Sequence, residues 1–260
     1  MNAVARLPEL APGGERAAVS LAVNLPGGAS TTAYVAVHPR EQTEACVVVL
    51  PTPEPLVSWC GRNYVEHAIV GGFFTRRNGS PLGEIRLDGV KMLTRPFESP
   101  WDGTRSCLHV SDGVVTIARR DELPRAPGGD LLQAGPMLVR EGRSLMGADM
   151  DPEGFSAGQA QFDSDITRGR YPRAALGVGH GLLIAVACDG RGPDDAGMTL
   201  GELAGLMVQL GAREAINLDG GGSTSLVSGG RLVNRPREEH GLDLPVGRAI
   251  STALALLPRA

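Results

Sequence analysis

Asn217-Leu218-Asp219-Gly220-Gly221-Gly222-Ser223-Thr224 closes an apolar run on an acid, passes through three glycines and reopens on two hydroxyls. Glycine loses more backbone entropy on folding than any other residue, so three in succession are costly. Such a run marks a place where something approaches the backbone closely or where φ turns positive, and it puts Asp219 at the lip of a tight turn. A dinucleotide or P-loop site needs strand, glycine loop and then helix, because the phosphate sits on the helix N-terminus. Here the glycines lead into an apolar hairpin, Thr224 to Val227 and Arg231 to Val233 around a Ser-Gly-Gly turn, with no G-x-G-x-x-G and no lysine. A serine-hydrolase elbow needs G-x-S-x-G, which Gly221-Gly222-Ser223-Thr224-Ser225 does not supply. The stretch therefore reads as strand, glycine turn, strand.

Working outward, Ala215 to Leu218 is the strand that delivers Asp219. Before it comes a helix, with Thr199 and Glu202 as a capping box, Leu200, Leu203, Leu206, Met207 and Leu210 as its apolar stripe, and Gly211 as its stop. Leu182 to Cys188 reads as a central strand, entered through a Gly179-His180-Gly181 turn and leaving into Asp189-Gly190-Arg191-Gly192. Arg248 to Leu257 closes the sheet. Towards the N-terminus, Ala17 to Val23, Thr32 to Val37 and Cys46 to Leu50 read as strands, and Thr52-Pro53-Glu54 as the start of a helix running to Tyr64. His67 to Val70 is a buried strand ending in Gly71-Gly72-Phe73-Phe74, followed by a polar loop from Thr75 to Gly83. Glu84 to Leu93, Cys107 to Ala118 and Leu131 to Arg140 alternate around Asp-Gly and Glu-Gly turns, the last interrupted by Gln133-Ala134-Gly135-Pro136. Gly147 to Arg170 loses periodicity and reads as a surface loop or flap. The expected class is α+β: a mixed, largely antiparallel β-sheet core with a few flanking helices in a single domain, residues 1–260. Its N-terminal strands lie within 1–50 and its motif-bearing core is 68–258.

Composition narrows the function classes. Of the 260 residues, 42% are hydrophobic, 21% charged and 4% aromatic, and the net charge is -4. Scarce aromatics and a negative balance exclude a stacking platform or phosphate footprint for nucleic acid. Lys91 is the sole lysine, which leaves arginine to bind oxyanions. Cys46, Cys60, Cys107 and Cys188 show no paired or zinc-ligand spacing and read as free, reduced thiols. With no apolar export region and no membrane-length window, the expectation is a soluble, cytoplasmic protein with no membrane partner.

The strand ends Gly71-Gly72-Phe73, Gly135-Pro136, Asp189-Gly190-Arg191 and Asp219-Gly220-Gly221 would frame a pocket of backbone donors, carboxylates and arginine if they converged at one sheet edge. The alternative for each is an ordinary turn. Arg173, after Pro172, and Arg235, before Pro236, are held in direction by proline and suit phosphate or carboxylate, or else a surface ion pair. His180 reads as a turn residue. Asp149, Asp151 and Glu153, and the pair Asp194 and Asp195, lack calcium-loop spacing. They are read as solvated carboxylates, so no metal and no cofactor are expected, a structural divalent cation there being the less favoured reading.

These motifs carry a resemblance. Gly71-Gly72-Phe73-Phe74, Ala134-Gly135-Pro136, Pro172-Arg173-Ala174, Asp189-Gly190-Arg191, Gly197-Met198-Thr199-Leu200, Asn217 to Thr224 and Val233-Asn234-Arg235-Pro236 resemble, in order, the motifs of the phosphodiester glycosidase family. The family usually has Asn before Gly-Gly-Phe-Phe and Arg before the late Pro-Val, where this chain has Val70 and Leu244. The resemblance implies hydrolysis of a sugar-1-phosphodiester at the C1–O bond, with a small glycosyl phosphate or a glycan phosphodiester as partner. Asp219 is then the first candidate for the working carboxylate and Asp189 the second. Arg173, Arg235, Arg191, Asn217, Ser223, Thr224, Phe73 and the backbone at Gly71, Gly72, Gly135, Gly190, Gly220, Gly221 and Gly222 would bind substrate. The alternatives are the same fold acting on another intracellular phosphoglycosylated metabolite or a sugar nucleotide, or a sugar- or phosphate-binding module without catalysis.

Overall fold

β-Branched and alternating runs supply most of the chain's regular structure. In the computed structural model of the protein, residues 17–75, 77–147, 151–156 and 169–259 are described. The chain runs through β1 (Val19–Asn24), β2 (Ser30–Pro39), β3 (Thr43–Pro55), helix α1 (Leu56–Asn63) and β4 (Ala68–Val70). The middle gives β5 (Ile85–Leu87), β6 (Val90–Lys91), β7 (Ser106–Ser111), β8 (Val114–Arg119), β9 (Asp130–Gln133), β10 (Met137–Arg140) and β11 (Arg143–Ser144). The last third gives β12 (Arg173–Gly179), β13 (Leu182–Cys188), helix α2 (Leu200–Gln209), β14 (Glu214–Asn217), β15 (Leu226–Ser228), β16 (Arg231–Leu232) and β17 (Ala249–Pro258).

Three sheets result. The largest has the order β1-β2-β13-β12-β14-β10-β11, the second β16-β15-β4-β17-β3 and the third β6-β5-β9-β7-β8. Every named strand pair is antiparallel, as expected. With only two α-helices among the described residues, however, the architecture is mostly β, and the α+β label fits loosely. The large sheet is sandwiched. One face packs with α1 and the other two sheets around Ile69, Leu108, Leu176, Ile216 and Leu254. The other face, with Val35, Ile184 and Ala215, is covered by Leu203, Met207 and Leu210 at α2. No helix among the described residues is long and apolar enough to cross a membrane.

Local signals placed α2 correctly: Thr199 Oγ1 accepts from Glu202 N at 3.1 Å, and Glu202 Oε2 accepts from Thr199 N at 2.9 Å. They misplaced the first helix. Thr52-Pro53-Glu54 continues β3, because Glu54 pairs with Ile250 and Pro55 with Ala249 of β17, so the helix begins only at Leu56. Gln133 to Pro136 is more than a kink. It carries the chain from the third sheet, which holds β9, into the large sheet, which holds β10. Part of the expected surface loop is buried, since Glu153 and Phe155 are 4% and 0% exposed. Residues 148–150 and 157–168 of that loop lie outside the described residues.

Candidate active site

The site is built by strand order. β12 lies between β13 and β14, with Arg173 opposite Cys188 and Ala175 opposite Asn217. The residues following β13 and β14 are Asp189 and Asp219, so the two acids flank the start of β12 at one sheet edge. Antiparallel strands lie ~4.8 Å apart, which puts their backbones two steps, roughly 10 Å, from each other. The second sheet reaches the same edge: Asp219 N donates to Gly71 O at 3.0 Å, and Gly71 N donates to Thr252 O of β17 at 2.9 Å. A Cβ at Gly71 would stand 2.6 Å from Thr252 Oγ1, so no larger residue fits between the sheets there.

The glycine run folds as a short 3-10 turn over Gly221–Ser223. Asp219 Oδ1 accepts from Gly220 N at 2.9 Å, and Gly221 N donates to Pro172 O at 2.9 Å. Gly221 has φ of 60°, a backbone that side chains rarely adopt, and a Cβ there would meet Arg191 Nη1 at 3.4 Å. A Cβ at Gly222 would meet both Arg248 Nη2 and Glu238 Oε1 at 2.9 Å. The glycines thus let two guanidinium groups, Arg191 and Arg248, approach the turn. Asn217 Oδ1, Thr224 Oγ1 and Ser225 Oγ, all on or beside this run, are buried with no hydrogen-bond partner among the described residues. Native proteins satisfy the large majority of buried polar side-chain atoms, so three orphans on one short segment mark it as unusual.

Asp189 is 1% exposed. Its Oδ1 accepts from Arg235 N at 2.7 Å and its Oδ2 from Tyr34 Oη at 3.2 Å. Burial pushes its carboxyl up to about 6, with Asp195 nearby adding to the rise; the Arg235 amide, Tyr34 and Arg237 pull against it. Burial and the same carboxylate push the Tyr34 hydroxyl up. Asp195 is itself fixed, accepting from Thr32 N at 2.9 Å and from Arg237 Nη1 at 3.2 Å.

The other expected site residues divide. Asn217 Nδ2 donates to Gly135 O at 3.0 Å and Gly135 N to Asn217 O at 3.0 Å, which fastens the Gly135-Pro136 strand end to the glycine run. Gly190 packs on Pro172, where a Cβ would stand 2.7 Å from the proline nitrogen, and Gly72 O accepts from Thr252 Oγ1 at 3.2 Å. Ser223 is buried and accepts from Arg248 Nη1 at 3.5 Å, while Thr224 O accepts from Asn234 Nδ2 at 2.9 Å. Arg173 is 3% exposed and donates to Met198 O at 3.0 Å and Gly169 O at 3.4 Å, which makes it a brace for two loops beside the site. Arg235 has an exposed side chain, and its backbone amide holds Asp189. The Phe73 ring lies elsewhere, against Phe155 at 5.6 Å and Phe97 at 6.4 Å. Val70 is buried in the main core, and Leu244 is half-buried.

Three of the acidic candidates, Glu153, Asp151 and Asp195, are engaged otherwise than as solvated carboxylates. Glu153 accepts from Ser106 N and Met137 N, both at 2.7 Å, and from Ser106 Oγ at 2.8 Å. Asp151 accepts from Phe155 N and Ser156 N, both at 2.8 Å, and Asp195 is buried as described. Asp194 is exposed. Asp149 lies outside the described residues. Among the described residues no group of three or more His, Cys, Asp or Glu side chains is placed to hold a metal ion. Sequence reasoning missed Tyr34, Glu238 and Arg248. Tyr34 faces the site from the opposite end of the chain and belongs to no motif, whereas Arg248 follows the late Pro-Val-Gly closely enough to have been singled out.

A family model described as phosphodiester glycosidase matches residues 63–257. Among curated proteins, mouse N-acetylglucosamine-1-phosphodiester alpha-N-acetylglucosaminidase is 29% identical over 65% of this chain and 32% of its own length. The SPbeta prophage-derived uncharacterized protein YomE of Bacillus subtilis is 26% identical over 61% of this chain and 24% of its own length. This chain therefore spans at most about a third of these curated relatives. Among solved structures, the zebrafish N-acetylglucosamine-1-phosphodiester alpha-N-acetylglucosaminidase catalytic domain, auto-inhibited by its pro-peptide, has the same fold. It superposes with a TM-score of 0.70 at 21% identity, covering 94% of this chain and 83% of that one.

Proposed function

The chain belongs to the phosphodiester glycosidase family, and from that premise we propose that it hydrolyses a sugar-1-phosphodiester at the C1–O bond, releasing free sugar and a phosphomonoester. The observation that carries this reading is the pair of acids, Asp189 and Asp219, set on either side of one strand start beside a glycine turn that two arginines approach. Asp219, partly exposed at the lip, takes a proton from the attacking water as its oxygen bonds to C1. The electron pair of the C1–O bond leaves with the phosphate oxygen. Asp189, raised to about 6, gives a proton to that oxygen. A phosphomonoester has its second pKa near ~6, so a weak, matched acid suffices where an alkoxide would need a stronger one. The Arg191 and Arg248 guanidinium groups and the glycine-turn backbone hold the phosphate, and Arg173 keeps the surrounding loops in place.

The test is turnover of a hexose 1-(methyl phosphate) in ¹⁸O-labelled water. The label is expected in the sugar and not in the phosphomonoester, and Asp219→Asn is expected to lower kcat about 10³-fold with the fold intact. Label in the phosphate would overturn C1–O cleavage, and an Asp219→Asn variant with undiminished turnover would remove Asp219 from the chemistry. Binding of the diester with no turnover at all would leave a sugar-phosphate-binding module on this fold.

A further inference from the structure

Asp189 and Arg191 stand two residues apart just past β13, and one segment, the chain that follows β16, touches both. Arg235 N donates to Asp189 Oδ1 at 2.7 Å, and Arg237 O accepts from Arg191 Nη1 at 3.2 Å. Resting on the proposed hydrolysis, we infer that Arg237 is a positioning residue of that reaction. Its side chain seats this segment so that the acid and the phosphate-binding guanidinium are held in register.

No strand ladder fixes residues 233–238. Asn234 fastens the start of the segment to the second sheet, its Oδ1 accepting from Leu226 N at 2.8 Å and its Nδ2 donating to Thr224 O at 2.9 Å. Arg237 then reaches across to the loop after β13. Its Nη1 donates to Asp195 Oδ2 at 3.2 Å and to Gly190 O at 3.4 Å, while its Nε donates to Asp243 Oδ1 at 2.9 Å. The reach passes over Gly192, where a Cβ would stand 2.1 Å from Nη1. The Asp243 side chain is 75% exposed and that of Asp195 only 8%, so the inner contact is the less screened and governs the seat. Asp195 is anchored in turn, its Oδ1 accepting from Thr32 N at 2.9 Å, and Thr32 O accepts from Asp189 N at 2.9 Å. Asp189, Thr32, Asp195, Arg237 and the Arg235 amide therefore form one closed ring of contacts. Arg191 has a φ of 58°, a strained backbone that persists only where neighbours hold it, and the bond to Arg237 O is one such hold.

The ring also sets the charge around Asp189. Tyr34 of β2 and the Arg237 guanidinium favour its ionised form, and Asp195 opposes it. The Arg235 guanidinium acts on Tyr34, and the adjoining Cys188, pushed up to about 12 by burial, stays a neutral thiol. An uncharged residue at 237 removes an attractive charge and leaves Asp195 uncompensated, so the Asp189 carboxyl rises further. Neutralising Asp195 lowers it, and both changes together nearly cancel.

The experiment follows two readouts. One is the alkaline limb of the kcat/KM profile for a hexose 1-(methyl phosphate), where Asp189 loses its proton; the other is calorimetric affinity for methyl phosphate. Arg237→Met is expected to move the limb up by about half a unit to one unit and to weaken methyl phosphate about tenfold. Arg237→Lys, which keeps the charge beside Asp195, is expected to return the limb to its parent position, and Asp195→Asn to move it down. If Arg237→Met does not fold, the double variant Arg237→Met/Asp195→Asn leaves no lone buried charge. It should keep the parent limb yet still bind methyl phosphate about tenfold more weakly. An unmoved limb in Arg237→Met, or a double variant that binds methyl phosphate as tightly as the parent, would overturn the inference. A third measurement separates this failure from failure of the hydrolysis itself. A ¹³C NMR titration of the Asp189 carboxyl, assigned by its loss in Asp189→Asn, needs no turnover. A carboxyl that moves up in Arg237→Met and down in Asp195→Asn supports the seat even if no diester is cleaved, and one unmoved in either variant rejects it.

Discussion

Two buried carboxylates, Glu153 and Asp189, sit beside strand-end glycines and are raised by burial, yet they are built for different ends. Glu153 is surrounded by donors that belong to the scaffold: two backbone amides, the Ser106 hydroxyl and, nearby, the Arg105 guanidinium. Arg105 is itself sealed between the Phe155 and Phe97 rings, 4.0 and 4.4 Å from their centroids, and donates to the backbone carbonyls of Glu153 and Gly154. Burial draws that guanidinium down to about 10. Among the described residues the Asp189 carboxylate accepts from two donors, the Arg235 amide and the hydroxyl of the half-buried Tyr34. Saturation and aromatic sealing make a strut. Fewer donors at a buried strand end suit a carboxyl that changes its protonation.

That comparison can be broken by substitution. The largest effect is expected from Glu153→Ala, which strips the partner from three buried donors and leaves Arg105 without its nearest counter-charge. The cost is about 4 kcal/mol, read as a fall in Tm of about 10 °C, with kcat per folded molecule within a few-fold of the parent. If kcat instead falls as far as it does in a site variant, Glu153 is more than a strut. Next is Asp189→Asn, for which kcat is expected to drop about 10²-fold while the fold gains stability at neutral pH. The sign follows from the raised carboxyl. Its folded pKa near 6 exceeds the unfolded value, so the native state is penalised where the group is ionised, above about 6, and not where both states are protonated, below about 4. Denaturant melts should therefore show the variant ahead of the parent by about 3 kcal/mol at pH 7, the gap closing as pH falls from 6 to 4. A gap that persisted at pH 4 would show that Asp189 costs the fold something other than charge. The smallest expected change is Tyr34→Phe. It removes one donor from Asp189, so the limb of the pH–rate profile governed by that acid should move up by about half a unit, with kcat changed only several-fold. An unmoved limb would detach Tyr34 from the acid's tuning.

How much was legible follows the same division between local and distant partners. The α2 cap needed only Thr199 and Glu202, three residues apart, and it was read directly. The four strand ends were legible because each carries its own glycines. Their meeting depended on pairings such as Ala175 with Asn217, which periodicity does not specify. Thr52 to Glu54 read as a helix start because the competing interaction, pairing with β17, comes from nearly 200 residues away. Glu153 read as a solvated acid because its donors, Ser106 and Met137, lie on other strands. Arg235 was singled out for its side chain when the contact belongs to its amide, a distinction that no residue letter carries.

That last contact separates two functions at a single position. Since Asp189 is addressed by the main chain of residue 235, the side chain there can change without breaking that hydrogen bond, its charge reaching the acid only by way of Tyr34. Proline alone, having no amide hydrogen, is barred from it. Position 235 thus presents an exposed side chain mounted on a main-chain tether to the buried acid.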